Sequence, residues 1–338
     1  MPIKIAINGF GRMGRLALRN MFDDPAVEVA AINSRGSAAF YAHLLQYDSS
    51  YGIWEKKVEA PDNNHLVIDG KAILLMSEKE DPTSLPWDEL GIDVVIESTG
   101  VFKNREDSTK HIKAGAKKVV ITTSISDDDI TLIAGVNLDD FDKDKHDIIA
   151  AASCTSNCLA LVIKPLHNKL KIKHGFVNTV HAFTNEQHLV DAPHHKEDFR
   201  RARAATESII PTSTGAASTI DKIIPELKGK LSGMAMRVPV VLPSVISLAL
   251  EVEDPVTAEE VNDILKSAAE GELKGNLGYS DLPLVSVDYR GDTRGSIVDG
   301  LSTKVVDGTM VNIVSWYDNE WGYINQLTKV IKYVGSKL

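Results

Sequence analysis

Short β-branched runs alternate with helix-like stretches in the first half of the chain. The pattern predicts helices at Arg15–Met21 and Glu106–Ala114. Strands are predicted at Ile3–Ile7, Val27–Ile32, Val94–Glu97, Val119–Thr122 and Ile148–Ala152. Strands that alternate with helices indicate parallel pairing, so we expect a doubly wound α/β sheet. The segment from about Tyr47 to Pro86 is more irregular and rich in Asp, Asn, Gly and Pro.

The pattern changes after Gly175, where long alternating runs are separated by loops. These runs are Phe176–Ala182, Met234–Val241, Val245–Val252, Leu284–Tyr289 and Met310–Tyr317. Alternation of this kind is typical of strands with one buried face, which predicts a second, α+β domain with a mainly antiparallel sheet. The last segment, Tyr323–Leu338, reads as a terminal helix.

The composition limits the classes of molecule that this protein is expected to bind. With 37 basic and 47 acidic residues the formal net charge is −10, which argues against an electrostatic surface for nucleic acid. The short basic segment Arg200–Arg203 suits a phosphate-sized ligand better. No apolar run approaches the roughly 20 residues that span a bilayer, and no signal peptide is recognisable. We therefore expect a cytoplasmic protein without membrane or nucleic-acid partners.

A glycine motif, G-x-G-x-x-G, joins the first predicted strand to the first helix through Gly9, Gly11 and Gly14. The first glycine permits the tight turn, the second lets the backbone approach a pyrophosphate, and the third allows close helix–strand packing. The helix N-terminus adds N–H groups and a positive dipole end. A glycine-rich turn alone is common. Its strand–helix–strand setting favours a dinucleotide-binding, Rossmann-type sheet.

The end of the second strand is unusual for an NAD site, which ordinarily carries an Asp or Glu about 20 residues after the glycines. Ser34 stands there, so no carboxylate opposes a 2′-phosphate, and Arg35 supplies a neighbouring cation. The hypothesis is that NADP is accepted, and its stronger form is that NADP is preferred to NAD. The alternative is that Arg35 simply points to solvent.

Cys154 and His181 are the candidate nucleophile and base. Cys154 lies where a strand gives way to a helix, and a helix N-terminus stabilises a thiolate. His181 closes a predicted strand, and spacing alone does not establish that the two side chains meet. A Cys–His pair also fits a thiol hydrolase, but the dinucleotide motif favours redox chemistry. Cys158, one turn further along, is interpreted as a small core residue.

The other histidines are weaker candidates for the catalytic base, and the two cysteines do not indicate a metal site. His188, His194 and His195 lie in a polar loop, while His111 and His174 resemble solvated residues. The two cysteines have C-x-x-x-C spacing without the further ligands of a zinc site, so no metal is expected.

Several stretches together resemble phosphorylating glyceraldehyde-3-phosphate dehydrogenase over essentially the whole chain. They are INGFGRMGR, ESTGVF, GAKKVVI, SCTSNCLA, TVHAFT, RRARAA, IIPTSTGAA, PELKGKLSGMAMRVP and WYDNEWGY, in this order. The resemblance implies that Cys154 attacks the aldehyde as a thiolate and that His181 acts as base. Oxidation by NAD or NADP and phosphorolysis of the resulting thioester would convert D-glyceraldehyde 3-phosphate to 1,3-bisphosphoglycerate.

The resemblance also implies the binding residues. Those expected to hold the phosphate groups of substrate and co-substrate are Ser153, Thr155, Thr184, Arg200, Thr214, Gly215 and Arg237. Those expected to hold the cofactor, beside Gly9, Gly11, Gly14, Ser34 and Arg35, are Phe10, Arg12, Met13, Thr99, Gly100, Thr122 and Asn319. It further implies residues 1–153 with 318–338 as the dinucleotide-binding domain, 154–317 as the catalytic domain, and a homotetramer.

The chain departs from the family pattern at several positions. Ser34 replaces a usual Asp, Ala192 a bulkier residue, and Glu80 an Arg that commonly precedes Asp81-Pro82. Ala152 and Ser156 replace an Asn and a Thr beside the nucleophile. Two alternatives stay open: an erythrose-4-phosphate dehydrogenase, which tends to lose the Thr-Gly pair that is intact at Thr214-Gly215, and a catalytically idle homologue that acts as a binding protein.

Overall fold

The computed structural model describes residues 1–78 and 81–338, so Glu80 lies outside the described residues. Contacts divide the chain into two compact units. The first comprises residues 1–152 and 327–338, and the second comprises residues 153–326.

The first unit is built on a nine-stranded sheet. Its strands, with the separate two-stranded β3–β4 ribbon, are β1 (Ile3–Asn8), β2 (Val27–Asn33), β3 (Tyr47–Asp48), β4 (Gly52–Ile53), β5 (Val58–Glu59), β6 (His65–Ile68), β7 (Lys71–Met76), β8 (Val94–Glu97), β9 (Lys118–Ile121), β10 (Ile130–Thr131) and β11 (Ile148–Ala150). The helices are α1 (Arg12–Met21), α2 (Ala38–Gln46), α3 (Trp87–Leu90) and α4 (Arg105–Lys113).

Most of the strands in the large sheet are parallel, which confirms the doubly wound prediction. The order is β10-β11-β9-β8-β1-β2-β7-β6-β5, and only β5, β6 and β7 pair antiparallel. β8, beside the central strand β1, is buried along its whole length, as expected for a sheet covered on both faces. The segment Tyr47–Pro86 is more regular than its composition suggests, because β6 and β7 form a hairpin on the edge of β2.

The second unit contains a seven-stranded sheet and its helices. The strands are β12 (Ile172–Ala182), β13 (Ile210–Thr212), β14 (Leu231–Val238), β15 (Ser244–Val252), β16 (Leu277–Ser280), β17 (Ser296–Val306) and β18 (Met310–Tyr317). The helices are α5 (Cys154–Leu170), α6 (Ala216–Ile223), α7 (Ala258–Glu270) and α8 (Trp321–Ser336), and α8 continues into residues 327–336 of the first unit.

This second sheet is mainly antiparallel, in the order β13-β14-β12-β15-β18-β17-β16, and it confirms the predicted α+β class. Two pairs, β12 with β14 and β16 with β17, are parallel. β15 alternates strictly between buried and half-exposed residues, the pattern of a strand with one covered face. α5 packs against β12, β15, β17 and β18.

Two predictions from the sequence were wrong. Leu284–Tyr289 is not a strand, since Ser286–Tyr289 forms a 3-10 turn in which the Asp288 carboxylate accepts the amide of Val285 at 2.8 Å. His111 is not solvated: it is fully buried, and its Nδ1 accepts the indole N–H of Trp87 at 3.0 Å. An amphipathic helix such as α4 does not by its own pattern show which polar side chains a neighbour will cover.

None of the helices in the described ranges has both the length and the apolar character needed to cross a membrane.

Candidate active site

The glycine turn after β1 is shaped by close backbone packing. Gly9 has φ +94°, and a Cβ there would lie 2.6 Å from the Thr99 backbone nitrogen. A Cβ on Gly14 would lie 2.2 Å from the Gly9 carbonyl oxygen. Around Gly11, by contrast, no protein atom would lie within 4 Å of a Cβ. The first and third glycines are therefore required by the protein's own packing, whereas Gly11 faces open space at the start of α1.

A cavity of about 260 Å³ opens beside this turn, at the carboxyl ends of β1, β2 and β8. It is lined by Asn8, Gly9, Phe10, Gly11, Asn33, Ser34, Arg35, Tyr41, Glu78, Pro82, Ser98, Thr99, Val101 and Phe102. This is the position where open α/β sheets bind ligands. Six of the predicted cofactor residues line the cavity. The others in this unit, which lie outside the lining, are Arg12, Met13, Gly14, Gly100 and Thr122.

Ser34 is tied to the glycine turn. Its hydroxyl oxygen accepts the amide of Phe10 at 3.1 Å and lies 2.5 Å from the Tyr41 hydroxyl. Arg35 is exposed at the same cavity. Glu78, which the sequence analysis missed, also lines it and brings a carboxylate. Serine and arginine favour a 2′-phosphate, and the glutamate opposes one.

Cys154 is the first residue of α5, as the sequence indicates. Ser153 caps the helix, and its hydroxyl oxygen accepts the amide of Ser156 at 3.1 Å. Ala152, two positions before Cys154, has φ +57°, in the left-handed region that Asn tolerates better than Ala. The substitution therefore places a strained residue two positions before the thiol.

The structure brings Cys154 and His181 together. Nε2 of His181 lies 3.4 Å from the Cys154 sulfur, across 27 positions of sequence. Nδ1 of His181 lies 2.7 Å from the Ala182 carbonyl oxygen and 2.6 Å from Nη1 of Arg237. Arg237 reaches the imidazole because β14 runs parallel to β12 with Arg237 directly opposite His181.

Burial and the arginine charge decide the resting protonation of this pair. Burial, together with the charge of Arg237, lowers the pKa of His181 to about 3. Burial raises the pKa of the Cys154 thiol, and the charge of Arg237 and hydrogen bonds from Thr155 offset this in part. Near neutral pH the pair is therefore a thiol beside a neutral imidazole. The contact, rather than the pKa of either group, supports a base role, because an unprotonated Nε2 3.4 Å from the sulfur can accept the thiol proton.

Arg237 also belongs to a second cluster, built on Glu186. Nη2 of Arg237 lies 3.2 Å from one carboxylate oxygen of Glu186, and Nη1 of Arg201 lies 3.0 Å from the other. Arg201 also donates from Nε to the Thr212 hydroxyl at 2.8 Å. Two guanidinium groups thus converge on one carboxylate beside His181, an arrangement that suits the oxygens of a phosphate.

The predicted Arg200 does not join this cluster. Arg200 is exposed and Arg201 is largely buried with Glu186. The sequence indicates the basic segment Arg200–Arg203 as a phosphate site, but the family resemblance assigns the contact to Arg200, and nothing in the sequence indicates Glu186. Neighbouring arginines in a loop carry no periodic signal that shows which one turns inward.

The other predicted binding residues of the second unit lie on several different elements. Thr184 follows β12, and Thr214 and Gly215 precede α6. The hydroxyl of Thr155 is buried and lies 2.9 Å from the Tyr317 hydroxyl. The side-chain oxygen of Asn319 accepts the Ser244 hydroxyl at 2.9 Å.

Cys158 differs sharply from Cys154. It is fully buried, with its sulfur 3.1 Å from the Ser296 hydroxyl, and burial raises the pKa of its thiol to about 12. These properties agree with the interpretation of Cys158 as a core residue. Among residues 1–78 and 81–338, no group of three or more His, Cys, Asp or Glu side chains could hold a metal ion.

Comparisons with known proteins match the chain in both units. Residues 3–105 match the family model "Glyceraldehyde 3-phosphate dehydrogenase, NAD binding domain", and residues 153–319 match the C-terminal domain of the same family. The chain is 52% identical to glyceraldehyde-3-phosphate dehydrogenase of Geobacillus stearothermophilus over 337 residues, covering 100% of this chain and 99% of the relative. It is 51% identical to glyceraldehyde-3-phosphate dehydrogenase 1 of Bacillus subtilis with the same coverage. A Nostoc relative, glyceraldehyde-3-phosphate dehydrogenase 3, is 47% identical over the full length of both chains.

Proposed function

The chain belongs to the glyceraldehyde-3-phosphate dehydrogenase family of NAD-dependent oxidoreductases, and from that premise we propose the reaction that it catalyses. It oxidises D-glyceraldehyde 3-phosphate with NAD or NADP and inorganic phosphate to 1,3-bisphosphoglycerate, reversibly. The observation that carries the proposal is the 3.4 Å contact between the Cys154 sulfur and Nε2 of His181, beside Arg237.

The first step is attack on the aldehyde. His181 accepts the thiol proton at Nε2, which requires that the neutral imidazole carries its proton on Nδ1, 2.7 Å from the Ala182 carbonyl oxygen. Nη1 of Arg237 then donates to the same carbonyl oxygen at 2.9 Å and not to the ring. The Cys154 thiolate adds to the carbonyl carbon, and the carbonyl oxygen takes the proton back from His181, so a neutral hemithioacetal forms beside a neutral imidazole. His181 then removes the hydroxyl proton as the carbon is oxidised to a thioester. The nicotinamide cofactor, when bound, supplies the acceptor for the hydride that leaves this carbon.

The second step is phosphorolysis. A phosphate oxygen attacks the thioester carbon, the carbon–sulfur bond breaks, and the Cys154 thiolate leaves as the acyl phosphate forms. Arg237 and Arg201 are the cations that hold phosphate groups close to this chemistry, with Thr184, Ser153, Thr214 and Gly215 as further donors. Phosphate replaces the Glu186 carboxylate as the partner of the two guanidinium groups.

The cofactor fits the first unit. The cavity beside Gly9 and Gly11 lies at the carboxyl ends of parallel strands, and the N-terminus of α1 offers amides to a pyrophosphate. Asn319, whose side-chain oxygen is engaged by Ser244, keeps its amide group as the donor for a carboxamide.

A more specific question is whether the protein accepts NAD, NADP or both. We propose that both are accepted, because Ser34 carries no charge and Arg35 is exposed at the cavity, while Glu78 limits the preference for NADP. The test is kcat/KM with each cofactor for the wild type, Ser34→Asp and Glu78→Gln. We expect S34D to lower NADP use and E78Q to raise it. A wild type with no measurable NADP turnover, unchanged in E78Q, would refute this.

The reaction is tested with purified protein and two aldehydes. Glyceraldehyde 3-phosphate and erythrose 4-phosphate are assayed with and without inorganic phosphate, with Cys154→Ser as the inactive control. We expect phosphate-dependent reduction of the cofactor with glyceraldehyde 3-phosphate. Phosphate-independent turnover, or a preference for erythrose 4-phosphate, would favour the erythrose-4-phosphate dehydrogenase alternative.

Iodoacetamide separates an enzyme from an idle homologue. Fast, selective alkylation of Cys154 over Cys158, detected by mass spectrometry, is the expected result. Equal and slow labelling of both cysteines would indicate an idle protein. The proposal also includes a cytoplasmic homotetramer, which light scattering after size exclusion tests by mass.

A further inference from the structure

Tyr317 ends β18 and is buried next to the Cys154–His181 pair. Its hydroxyl oxygen lies 2.9 Å from Oγ1 of Thr155 and 2.8 Å from Oγ1 of Thr179. Thr155 directly follows Cys154 in α5. Thr179 lies two positions before His181 in β12, on the same face of the strand. One hydroxyl chain therefore joins the residue beside the nucleophile to the strand that carries the base.

The chain is anchored and sheltered from solvent. Oγ1 of Thr179 also lies 3.2 Å from the Val245 carbonyl oxygen on the neighbouring strand β15. Thr155 is 4% exposed and both Tyr317 and Thr179 are 1% exposed. Water cannot readily replace a lost partner at such depth, so each hydroxyl depends on the others for its hydrogen bonds.

The ring of Tyr317 touches the base directly. Its centroid lies 5.9 Å from that of the His181 imidazole, with an interplanar angle of 70°, an edge-on arrangement. The same side chain thus restrains the imidazole through its ring and α5 through its hydroxyl.

We propose that Tyr317 is a positioning residue that sets the distance between the Cys154 sulfur and the His181 imidazole. The inference rests on the proposed function of that pair. α5 and β12 approach each other only through tertiary contacts, and proton transfer requires hydrogen-bond distance. Loss of the hydroxyl chain lets the helix start and the strand end separate, which slows the reaction without changing cofactor binding.

The first test is Tyr317→Phe, which removes the hydroxyl and keeps the ring. We expect kcat to fall about 10- to 100-fold, as a small misplacement of catalytic groups does, with the KM for cofactor within about twofold of wild type. The pH midpoint of Cys154 alkylation by iodoacetamide should rise, because the base is further from the thiol. Tyr279→Phe on β16, which removes a hydroxyl that hydrogen-bonds Asp281, is the matched control and should leave all three quantities unchanged.

The second test uses Thr179 and answers the question even if Tyr317→Phe fails to fold. Thr179→Val removes the hydroxyl at constant shape and should reproduce the effect, whereas Thr179→Ser keeps the hydroxyl and should restore wild-type kcat and alkylation profile. Equal impairment of the Ser and Val variants, or wild-type behaviour of both Phe and Val variants, would overturn the positioning role. In that case selective alkylation of wild-type Cys154 still supports the proposed function. Without selective alkylation, both proposals fail.

Discussion

The guanidinium of Arg237 lies against the imidazole of His181, with Nη1 of the arginine 2.6 Å from Nδ1 of the histidine. The two residues are register partners on parallel strands. A permanent positive charge at this distance opposes a second one on the ring, which keeps His181 neutral and ready to accept a proton. The same charge offsets part of the rise in the pKa of the Cys154 thiol that burial causes.

The neutral state of His181 makes stability depend on pH. Its pKa lies near 6.5 in the unfolded chain and is lowered to about 3 in the folded protein, so the folded state binds the proton more weakly. Its contribution to stability is therefore complete above pH 6.5 and is lost as the pH falls towards 3. At pH 5 the loss is about 2 kcal/mol. Denaturant unfolding at pH 7.5 and 5 should show a smaller loss for His181→Asn than for the wild type. Equal losses would contradict the burial of a neutral imidazole.

Glu186→Gln should destabilise the protein and make it respond more to phosphate. The change leaves two largely buried guanidinium groups without their shared carboxylate, and since Glu186 is about one-third exposed we expect a loss of roughly 1–3 kcal/mol. Inorganic phosphate should restore more thermal stability to the variant than it adds to the wild type. Asp191→Asn, which breaks an exposed pair with Arg203, is the control. An E186Q melting temperature that does not respond to phosphate would argue against an anion site here.

Substitution of Arg201 and of Arg200 tests which of the two arginines binds phosphate. The structure favours Arg201, whereas the sequence favours Arg200. Arg201→Ala removes a donor that converges on Glu186 with Arg237, so we expect the KM for the phosphorylated aldehyde or for inorganic phosphate to rise about tenfold or more. Arg200→Ala, at an exposed position, should change either KM by less than about threefold. Initial-rate kinetics give both KM values for the two variants. A larger rise in KM for Arg200→Ala than for Arg201→Ala would favour Arg200 as the phosphate ligand.

Replacement by alanine should lower the stability of the protein at Gly14 and its affinity for the cofactor at Gly11. Gly14→Ala places a Cβ 2.2 Å from a backbone oxygen, so we expect a loss of about 2 kcal/mol or more in stability. Gly11→Ala meets no protein atom, and its extended backbone (φ −72°, ψ −157°) suits alanine. It should fold normally yet bind the cofactor about tenfold more weakly, because the methyl occupies the space where a pyrophosphate approaches. Calorimetric titration beside thermal melting measures both effects. Normal affinity in G11A would place the phosphates elsewhere.

Local patterns were enough for much of the fold and for the two central residues of the site. The Gly9–Gly14 turn and the helix that starts at Cys154 are specified by residues adjacent in sequence. The strand, the turn and the N-terminal cap of the helix can each be recognised from a few consecutive residues. Prediction from sequence failed where the polarity of a residue does not match its burial in the structure. The alternating run at Leu284–Tyr289 exposes Val285 and Val287 instead of burying a face. His111 is buried, and Trp87, 24 positions away, contacts its ring.

The sequence by itself determined the two-sheet α/β architecture, the glycine turn and the identity of Cys154 and His181 as the reactive candidates, because periodicity, capping and motif spacing are local properties. Only the tertiary structure decided that Arg201 rather than Arg200 faces Glu186, that Arg237 rests on His181, and that Tyr317 joins Thr155 to Thr179. These contacts depend on strand register and on side-chain burial across as many as 162 positions of chain. No local pattern encodes them, since they arise when the sheet assembles and leaves each buried polar group to find its partner.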